Sequence, residues 1–275
     1  MRIFILGSKG TLGSYCYRYF KSQLHEVVGL NRPSFDVLRS DTHAFIQQLQ
    51  PRDVIINCTG ILKPNLYKYT TEQVEEINYK FTNTLAVICK AKGVTFFHIC
   101  SDCIYSGSKG NYTEDDTADA CDLYASTKSK VNYHDLTAIR TSFIGANYNS
   151  AGLLDWLIRN RNKHITGYSN CLWNGVTCLD ICKSINSIIP SPYFGVRHLF
   201  SDKRISKYEL LVILNNAYKL NCNISEVLAT EISGTIIDNI LDRSLASKYD
   251  IFNRVVLQDS VYEQQKFDEK YPHIL

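Results

Sequence analysis

The chain has 275 residues, of which 45% are hydrophobic and 21% are charged, and its formal net charge at pH 7 is +3. This length suffices for one large domain or for a domain with a smaller lobe, and the composition argues against disorder. The basic residues form no run, so we expect no nucleic-acid partner. The apolar run from Met1 to Leu6 is too short for a signal peptide or a membrane span, which predicts a cytoplasmic protein without membrane association.

The first strand, Arg2 to Leu6, runs into a glycine-rich turn, and Ser14 to Lys21 can continue as a helix. Glycines in such a turn allow a tight bend and let the backbone approach a pyrophosphate at the helix N-terminus. The spacing is G-x-x-G-x-x-G rather than G-x-G-x-x-G, so a turn without a ligand stays an alternative. The candidate cofactor-binding residues of this turn are Gly7, Lys9, Gly10, Thr11, Leu12 and Gly13.

A second predicted strand, Glu26 to Leu30, ends at Asn31 and Arg32. An acidic residue at this point would bind the 2′-hydroxyl of NAD, whereas an arginine can pair with the 2′-phosphate of NADP. The sequence therefore favours NADPH over NADH, with Lys9 as a second phosphate contact. A surface arginine without a ligand stays open as the alternative.

Two further segments complete the predicted cofactor site. Asp36 and Val37 are expected to lie along the edge of the adenine ring. The third strand, Asp53 to Asn57, runs into Cys58-Thr59-Gly60, where small residues let the chain pass close to a cofactor.

A strand that begins at Phe96 delivers Ser101 to the edge of the sheet, where an open α/β sheet keeps its site. Tyr124 and Lys128 follow one helical turn apart, so both side chains leave the same helix face. We expect the ammonium to lower the pKa of the phenol from about 10. A hydroxyl, a phenol and a cation can donate a proton to a ketone that is being reduced by hydride, because negative charge grows on its oxygen.

The alternation of strands and helices up to Gly145 predicts an α/β fold, a Rossmann-type doubly wound parallel sheet covered on both faces. The helical stretch Thr71 to Lys92 is expected to pack on this sheet, with Asn78 in a structural role. Beyond Gly145 the pattern predicts a smaller C-terminal α/β substrate lobe. We place the NAD(P)-binding domain at residues 1–145 and the lobe at 146–275, with a soft boundary because part of the second half can return to the main sheet.

Ten cysteines raise the question of free thiols or metal ligands. Cys100 and Cys103 form a C-x-x-C pair, but no second pair follows at zinc-ribbon spacing. Cys178 and Cys182 lie a helical turn apart, which is typical of small buried side chains. We expect no disulfide and no bound metal.

Four motifs occur in the order that is typical of an extended short-chain dehydrogenase/reductase: Gly7-x-x-Gly10-x-x-Gly13, Ser101-Asp102, Tyr124-x-x-x-Lys128 and Arg140-Thr141. The segment Ser101 to Gly107 resembles the one that carries the catalytic Ser or Thr in the dTDP-4-dehydrorhamnose reductase group. Ile205 to Leu210 and Asp242 to Leu245 are similar to the late motifs of that group. The resemblance spans nearly the whole chain.

This resemblance implies NADPH-dependent reduction of the C4 ketone of a UDP- or dTDP-linked 4-keto-6-deoxyhexose, in the synthesis of an activated deoxysugar such as L-rhamnose or its 2-acetamido analogue. Tyr124 would donate the proton, Lys128 would lower its pKa and hold the nicotinamide ribose, and Ser101 would position the carbonyl oxygen. A homodimer stays open.

The resemblance also implies four candidate substrate contacts in addition to Ser101. They are Asp102 and Cys103, which follow it directly, and Trp173 and Asn174 in the lobe. For Trp173, a buried lobe tryptophan without a ligand is the alternative.

Cys103 opens a second interpretation. In related bifunctional epimerase/4-reductases, a cysteine two residues beyond the catalytic Ser or Thr acts as an acid or base. Those enzymes need a second acid/base residue near the start of the lobe helix, and Gly152 to Trp156 contains neither His nor Lys. We therefore rank the reductase first and expect Cys103 to pack.

Some members of this family are non-catalytic regulatory subunits, as in the methionine adenosyltransferase complex. An intact Ser101, Tyr124 and Lys128 argues against that alternative, because a binding module does not need all three. A 4,6-dehydratase or 4-epimerase is disfavoured as well. The dehydratases carry acidic residues directly after the catalytic Thr, whereas here a single Asp102 is followed by Cys103.

Overall fold

The computed structural model of the protein describes residues 1–32, 34–39, 42–147, 152–232, 235–236 and 240–272. The strands in these ranges are β1 (Arg2–Leu6), β2 (Glu26–Leu30), β3 (Val54–Asn57), β4 (Thr95–Ser101), β5 (Thr137–Thr141), β6 (Phe143–Ile144), β7 (His164–Tyr168), β8 (Cys171–Trp173), β9 (Val176–Thr177), β10 (Gly195–His198), β11 (Ile205–Ser206), β12 (Asn223–Val227), β13 (Glu231–Ile232), β14 (Thr235–Ile236) and β15 (Leu241–Asp242). The α-helices are α1 (Thr11–Ser22), α2 (Thr42–Gln47), α3 (Thr71–Glu75), α4 (Phe81–Lys92), α5 (Leu123–Lys128), α6 (Leu153–Arg159), α7 (Cys178–Ile188), α8 (Lys207–Ala217) and α9 (Leu257–Lys270).

Six strands form the central sheet in the order β10-β5-β4-β3-β1-β2, and every neighbouring pair in it is parallel. The structure therefore confirms the predicted Rossmann-type α/β fold. The chain adds β2 on one side of β1 and β3 on the other, so the strand order reverses there. Ligands of open α/β sheets bind beyond the carboxyl ends of the strands at such a reversal.

Both faces of the sheet are covered, as a parallel sheet requires. In β1, Ile3 and Ile5 face one hydrophobic core while Phe4 and Leu6 face the other. Helices α1 and α7 cover the first face, and α2 and α4 cover the second. Burial of each such side chain stabilises the fold by roughly 1.5–3 kcal/mol relative to leaving it exposed, which fixes the strand that leads into the glycine turn.

Residues 71–92, predicted as one helix, are divided in the structure. Helix α3 is followed by a π-helical segment, Glu76–Lys80, and then by α4. Gly93 ends α4 in the left-handed conformation at φ 66°, as expected for a C-terminal cap. The π-helical segment contains the fully buried Asn78. Such segments are rare in helices and frequently lie at functional sites.

The second half of the chain contributes to both parts of the molecule. Strand β10 pairs with β5 in the central sheet, and α7 packs against α1. The lobe has a core of its own, to which α6 and α8 contribute buried leucines such as Leu157 and Leu210. A domain division near residue 145 stays a proposal, because β10 and α7 lie beyond it in sequence and belong to the layers of the main sheet.

All ten cysteines are free thiols, and most of them are buried. Across the described ranges, no helix combines the length and the apolar character needed to cross a bilayer.

Candidate active site

A cavity of about 660 Å³ opens at the carboxyl ends of β4 and β5. Its wall includes Ser101, Tyr124 and Lys128, so the structure brings the three predicted catalytic residues together. A smaller cavity of about 210 Å³ lies near the ends of β1 and β2. The two cavities share Cys58, Thr59 and Gly60 in their walls, which makes them neighbouring parts of one elongated site.

Ser101 is the last residue of β4, and its side chain caps the turn that follows. Its Oγ accepts a hydrogen bond from the backbone N–H of Cys103 at 3.0 Å. The same oxygen donates a long hydrogen bond to Asp102 Oδ1 at 3.4 Å. The hydroxyl is therefore held at the sheet edge by its own backbone turn.

Tyr124 and Lys128 lie one turn apart on α5, as the sequence predicts. Asp122 caps the helix by accepting a hydrogen bond from the N–H of Ala125 at 3.0 Å. The carboxylate also pairs with Lys63 at 2.6 Å, which ties the helix start to the loop after β3. These contacts fix the direction in which α5 presents its phenol and ammonium.

Asn78 joins α5 to the loop that both cavities share. Its Oδ1 accepts a hydrogen bond from the N–H of Ile61 at 2.8 Å, and its Nδ2 donates one to Thr127 Oγ1 at 3.0 Å. Gly60 precedes Ile61, and a Cβ at Gly60 would lie 2.9 Å from Lys128 Nζ. Asn78 thus holds α5 beside this loop, in line with the structural role expected for it.

Burial raises the pKa of the Tyr124 phenol well above its usual value, and the neighbouring Cys103 adds to the rise while Ser101 opposes it by hydrogen bonding. This differs from the expected lowering by Lys128, because desolvation dominates at a tyrosine that is 6% exposed. Burial also lowers the pKa of the Lys128 ammonium. Tyr124 therefore holds its proton at neutral pH, as a proton donor must.

Asp102 and Cys103 line the larger cavity beside Ser101. Burial raises the pKa of the Cys103 thiol to about 11, with a further rise from the charge of Asp102. Burial likewise raises the pKa of Asp102. Cys103 is consequently a protonated thiol in reach of the cavity rather than a thiolate.

The glycine turn has the close packing that a dinucleotide-binding loop needs. Gly7 has a φ of 76°, a conformation that favours glycine. A Cβ at Gly13 would lie 2.1 Å from the carbonyl oxygen of Gly7, so only glycine lets α1 start this close to the loop. Thr11 and Leu12 line the larger cavity, and Gly7 lines the smaller one.

The smaller cavity brings together the residues predicted for the adenosine end. Asn31, Arg32, Asp36 and Val37 all lie in its wall. The Arg32 guanidinium donates a hydrogen bond to the Tyr69 hydroxyl at 3.2 Å and forms no ion pair with any described carboxylate.

Other predicted site residues lie outside both cavity walls. Lys9 is exposed, and its carbonyl accepts a hydrogen bond from Asn147 Nδ2 at 3.0 Å. Gly10 and Gly13 shape the turn without lining either cavity. Asn174 forms hydrogen bonds of 2.7 and 2.8 Å with the backbone of Leu245, and its predicted contact with a substrate stays a prediction.

Trp173 does line the larger cavity, although it is only 3% exposed and is therefore mostly a packing residue. The structure adds a wall residue that the sequence analysis did not assign to the site, Lys207 at the start of α8. Its Nζ lies 4.7 Å from the centroid of the Trp173 ring. The Ser-x-x-Glu capping pattern of Ser206 and Glu209 predicts a helix start here, but it carries no information about which cavity the lysine reaches.

A family model described as the RmlD substrate binding domain matches residues 1–149. Methionine adenosyltransferase 2 subunit beta from Rattus norvegicus is 30% identical over 135 residues, which are 46% of this chain and 40% of that protein. The chain thus matches about two fifths of the length of that curated relative.

Solved structures extend the similarity of the fold to almost the whole chain. A dTDP-4-dehydrorhamnose reductase from Clostridium acetobutylicum superposes with a TM-score of 0.80 at 17% identity, covering 98% of this chain and 100% of that one. The enzyme of that name from Bacillus anthracis, solved in complex with NADP, gives a TM-score of 0.80 at 16% identity, with 97% and 99% covered. At such identities the structures show the fold, and the family follows from the model match across more than half of the sequence: the chain belongs to the RmlD substrate binding domain family.

Proposed function

We propose that the protein uses NADPH to reduce the C4 ketone of a nucleoside-diphosphate 4-keto-6-deoxyhexose. The observation that carries this proposal is the meeting of Ser101, Tyr124 and Lys128 in the wall of one cavity that adjoins the glycine turn. The chemistry of these groups, a hydroxyl, a protonated phenol and an ammonium, suits a ketone that gains negative charge.

The residues of the smaller cavity fit a dinucleotide. The tight packing of Gly13 against Gly7 sets the start of α1 directly behind the glycine turn, where the helix N-terminus can bind phosphates. Arg32, which has no carboxylate partner among the described residues, suits the 2′-phosphate of NADP better than the 2′-hydroxyl of NAD. The reduced nicotinamide would supply the hydride. The NADP complex of the Bacillus anthracis relative supports this choice.

The protein's own part in the reaction is proton transfer and orientation. Tyr124 donates its proton to the ketone oxygen, because burial keeps the phenol protonated until negative charge develops beside it. Ser101 Oγ, held by the N–H of Cys103, turns its single O–H from the long bond with Asp102 to that oxygen when the substrate is bound. Lys128, whose ammonium has no hydrogen-bond acceptor among the described residues, can bind hydroxyls of the cofactor and stabilise the phenolate that remains.

The experiment is to follow NADPH consumption by the purified protein with dTDP- and UDP-linked 4-keto-6-deoxyglucose, each with and without prior 3,5-epimerisation. Consumption with the epimerised sugars alone establishes a dedicated 4-reductase. Consumption with unepimerised sugars makes Cys103 an acid/base residue of a bifunctional enzyme only if the product is inverted at C3 and C5; an uninverted product means a 4-reductase that accepts the unepimerised sugar. No consumption with any of the four sugars, despite NADPH binding, contradicts the proposed reaction.

A second candidate is a cofactor-binding regulatory subunit, which the similarity to methionine adenosyltransferase 2 subunit beta favours. It ranks below the reductase because Ser101, Tyr124 and Lys128 are all present in the cavity wall. In the experiment above, it predicts NADPH binding without consumption.

A further inference from the structure

Lys207 places a positive charge in the larger cavity that the proposed reaction does not use. It is the first residue of α8, directly after the capping residue Ser206, and it lines the cavity together with Ser101, Cys103 and Trp173. Its Nζ contacts the Trp173 ring, and none of the described residues forms a hydrogen bond or ion pair with it. The indole face stabilises the cation but cannot accept its three N–H donors as an anion would.

The surroundings of Lys207 do not neutralise its charge. Burial lowers the pKa of the ammonium to about 8, and the charge of Arg243 adds to this lowering, so a second cation lies close by. The Nε of Arg243 donates to the carbonyl of Tyr105 at 3.0 Å, and its other N–H groups have no partner among the described residues. Asp102 is the acidic neighbour, and its charge raises the pKa of Lys207, but the two side chains form no ion pair in the described part of the chain.

An unpaired cation in a partly desolvated cavity is costly unless an anion joins it. Ser206 and Glu209 already cap the start of α8 through each other's backbone N–H groups, so the anion would be held by the side chain of Lys207 rather than by the helix end. Lys128 is the other cavity lysine whose ammonium has no hydrogen-bond acceptor among the described residues, and the proposed function assigns it to the cofactor hydroxyls. Lys207 comes from the lobe, where the remaining ligand is the substrate.

We infer that Lys207 binds an oxyanion of the substrate, with a phosphate of the nucleoside diphosphate as the group it holds. This inference relies on the proposed function for the class of substrate. A carboxylate on the sugar offers the same chemistry, so the experiment separates the two sources.

The test measures the binding of UDP-glucose and UDP-glucuronate to the NADP-loaded protein by calorimetry, without turnover. The variants are Lys207→Met, which removes the charge, and Lys207→Arg, which keeps it. Lys203→Met is the matched control, because it makes the same charge change at an exposed position outside the cavity wall. NADP affinity, measured in parallel, reports that each variant is folded.

Lys207→Met is expected to weaken both ligands about 10- to 100-fold, the usual value of a charge-assisted hydrogen bond, while Lys207→Arg and Lys203→Met stay within about threefold. Weakening of UDP-glucuronate alone would assign the oxyanion to the sugar carboxylate. Unchanged binding of both ligands to Lys207→Met overturns the inference. If Lys207 controls binding but no keto sugar is ever reduced, the oxyanion site stands and the proposed reaction does not.

The pH dependence gives an independent reading. Asp102, Cys103 and Cys171 raise the pKa of Lys207, while burial and Arg243 lower it to about 8. Lys207 is therefore mostly protonated below this pH and mostly neutral above it. The affinity of the wild-type protein for the anionic ligands should fall between pH 7 and pH 9, roughly one pH unit on either side of the pKa. Lys207→Arg should show no such fall, because arginine stays protonated throughout.

Discussion

The phenol of Tyr124 is the group on which the proposed chemistry depends most directly. Tyr124→Phe removes the proton donor and keeps the ring, so kcat should fall about 10²- to 10⁴-fold while NADPH affinity changes less than about threefold. Tyr67→Phe is the control, since Tyr67 is 81% exposed. Steady-state kinetics and cofactor titration check both variants, and near-normal turnover by Tyr124→Phe would exclude this tyrosine as the donor.

Arg32 is the residue expected to select the phosphorylated cofactor. Arg32→Gln should lower kcat/KM for NADPH about 10- to 100-fold and leave that for NADH within about threefold, because only NADPH carries the 2′-phosphate. Arg39→Gln removes an equal charge from an exposed arginine outside the smaller cavity wall. Equal losses with both cofactors in Arg32→Gln would mean that this arginine does not distinguish them.

Single residues also mark the limit of what the sequence predicts. That Tyr124 and Lys128 share one helix face could be predicted, because it follows from their spacing alone. The bonds between Asn174 and the backbone of Leu245 could not, since Leu245 lies 71 positions away in the chain. Lys207 was missed for the same reason. Its contact with Trp173 joins α8 to β8, and no local sequence pattern predicts that these two elements lie side by side.

At the scale of elements, the β1–turn–α1 unit makes a prediction about steric fit. In Gly13→Ala the new Cβ would meet the backbone of Gly7 at 2.1 Å, so the turn must shift and NADPH affinity should fall at least about tenfold. Gly10→Ala is the graded comparison: its Cβ would lie 3.2 Å from the same oxygen, a tight contact that needs only a small adjustment, so NADPH affinity should fall less. Thermal unfolding and cofactor titration check the pair, and equal effects of the two variants would contradict the steric argument.

The regular elements were the predictable ones, and their interruptions were not. The strands of the sheet and α5 follow from apolar runs and short local spacings. The helical periodicity of residues 71–92 is nearly continuous, so it hides the π-helical segment Glu76–Lys80. That segment is explained by long-range bonds, from Asn78 to Ile61 and Thr127, which no local pattern encodes.

At the scale of the molecule, helix α9 ties the end of α8 to α1 through a single carboxylate. Asp268 accepts hydrogen bonds from Tyr15 at 2.7 Å and Tyr218 at 2.9 Å, and it pairs with Arg18 at 3.2 Å. Tyr15 also accepts a hydrogen bond from the N–H of Ala146 at 3.2 Å. One buried carboxylate thus links α1, α8 and α9 behind the cavity.

Replacing Asp268 by asparagine should therefore destabilise the whole fold. The exchange keeps the size of the side chain but removes the negative charge that accepts bonds from Arg18 and Tyr15, at a cost of about 1.5–3 kcal/mol in the free energy of unfolding. Glu263 also lies on α9, and Glu263→Gln removes its exposed ion pair with Lys183 of α7. This change should cost less than about 1 kcal/mol in the free energy of unfolding. Urea unfolding at pH 7 compares the two variants with the wild-type protein. If Asp268→Asn unfolds at the wild-type urea concentration, the negative charge of this carboxylate contributes nothing measurable to the stability of the fold.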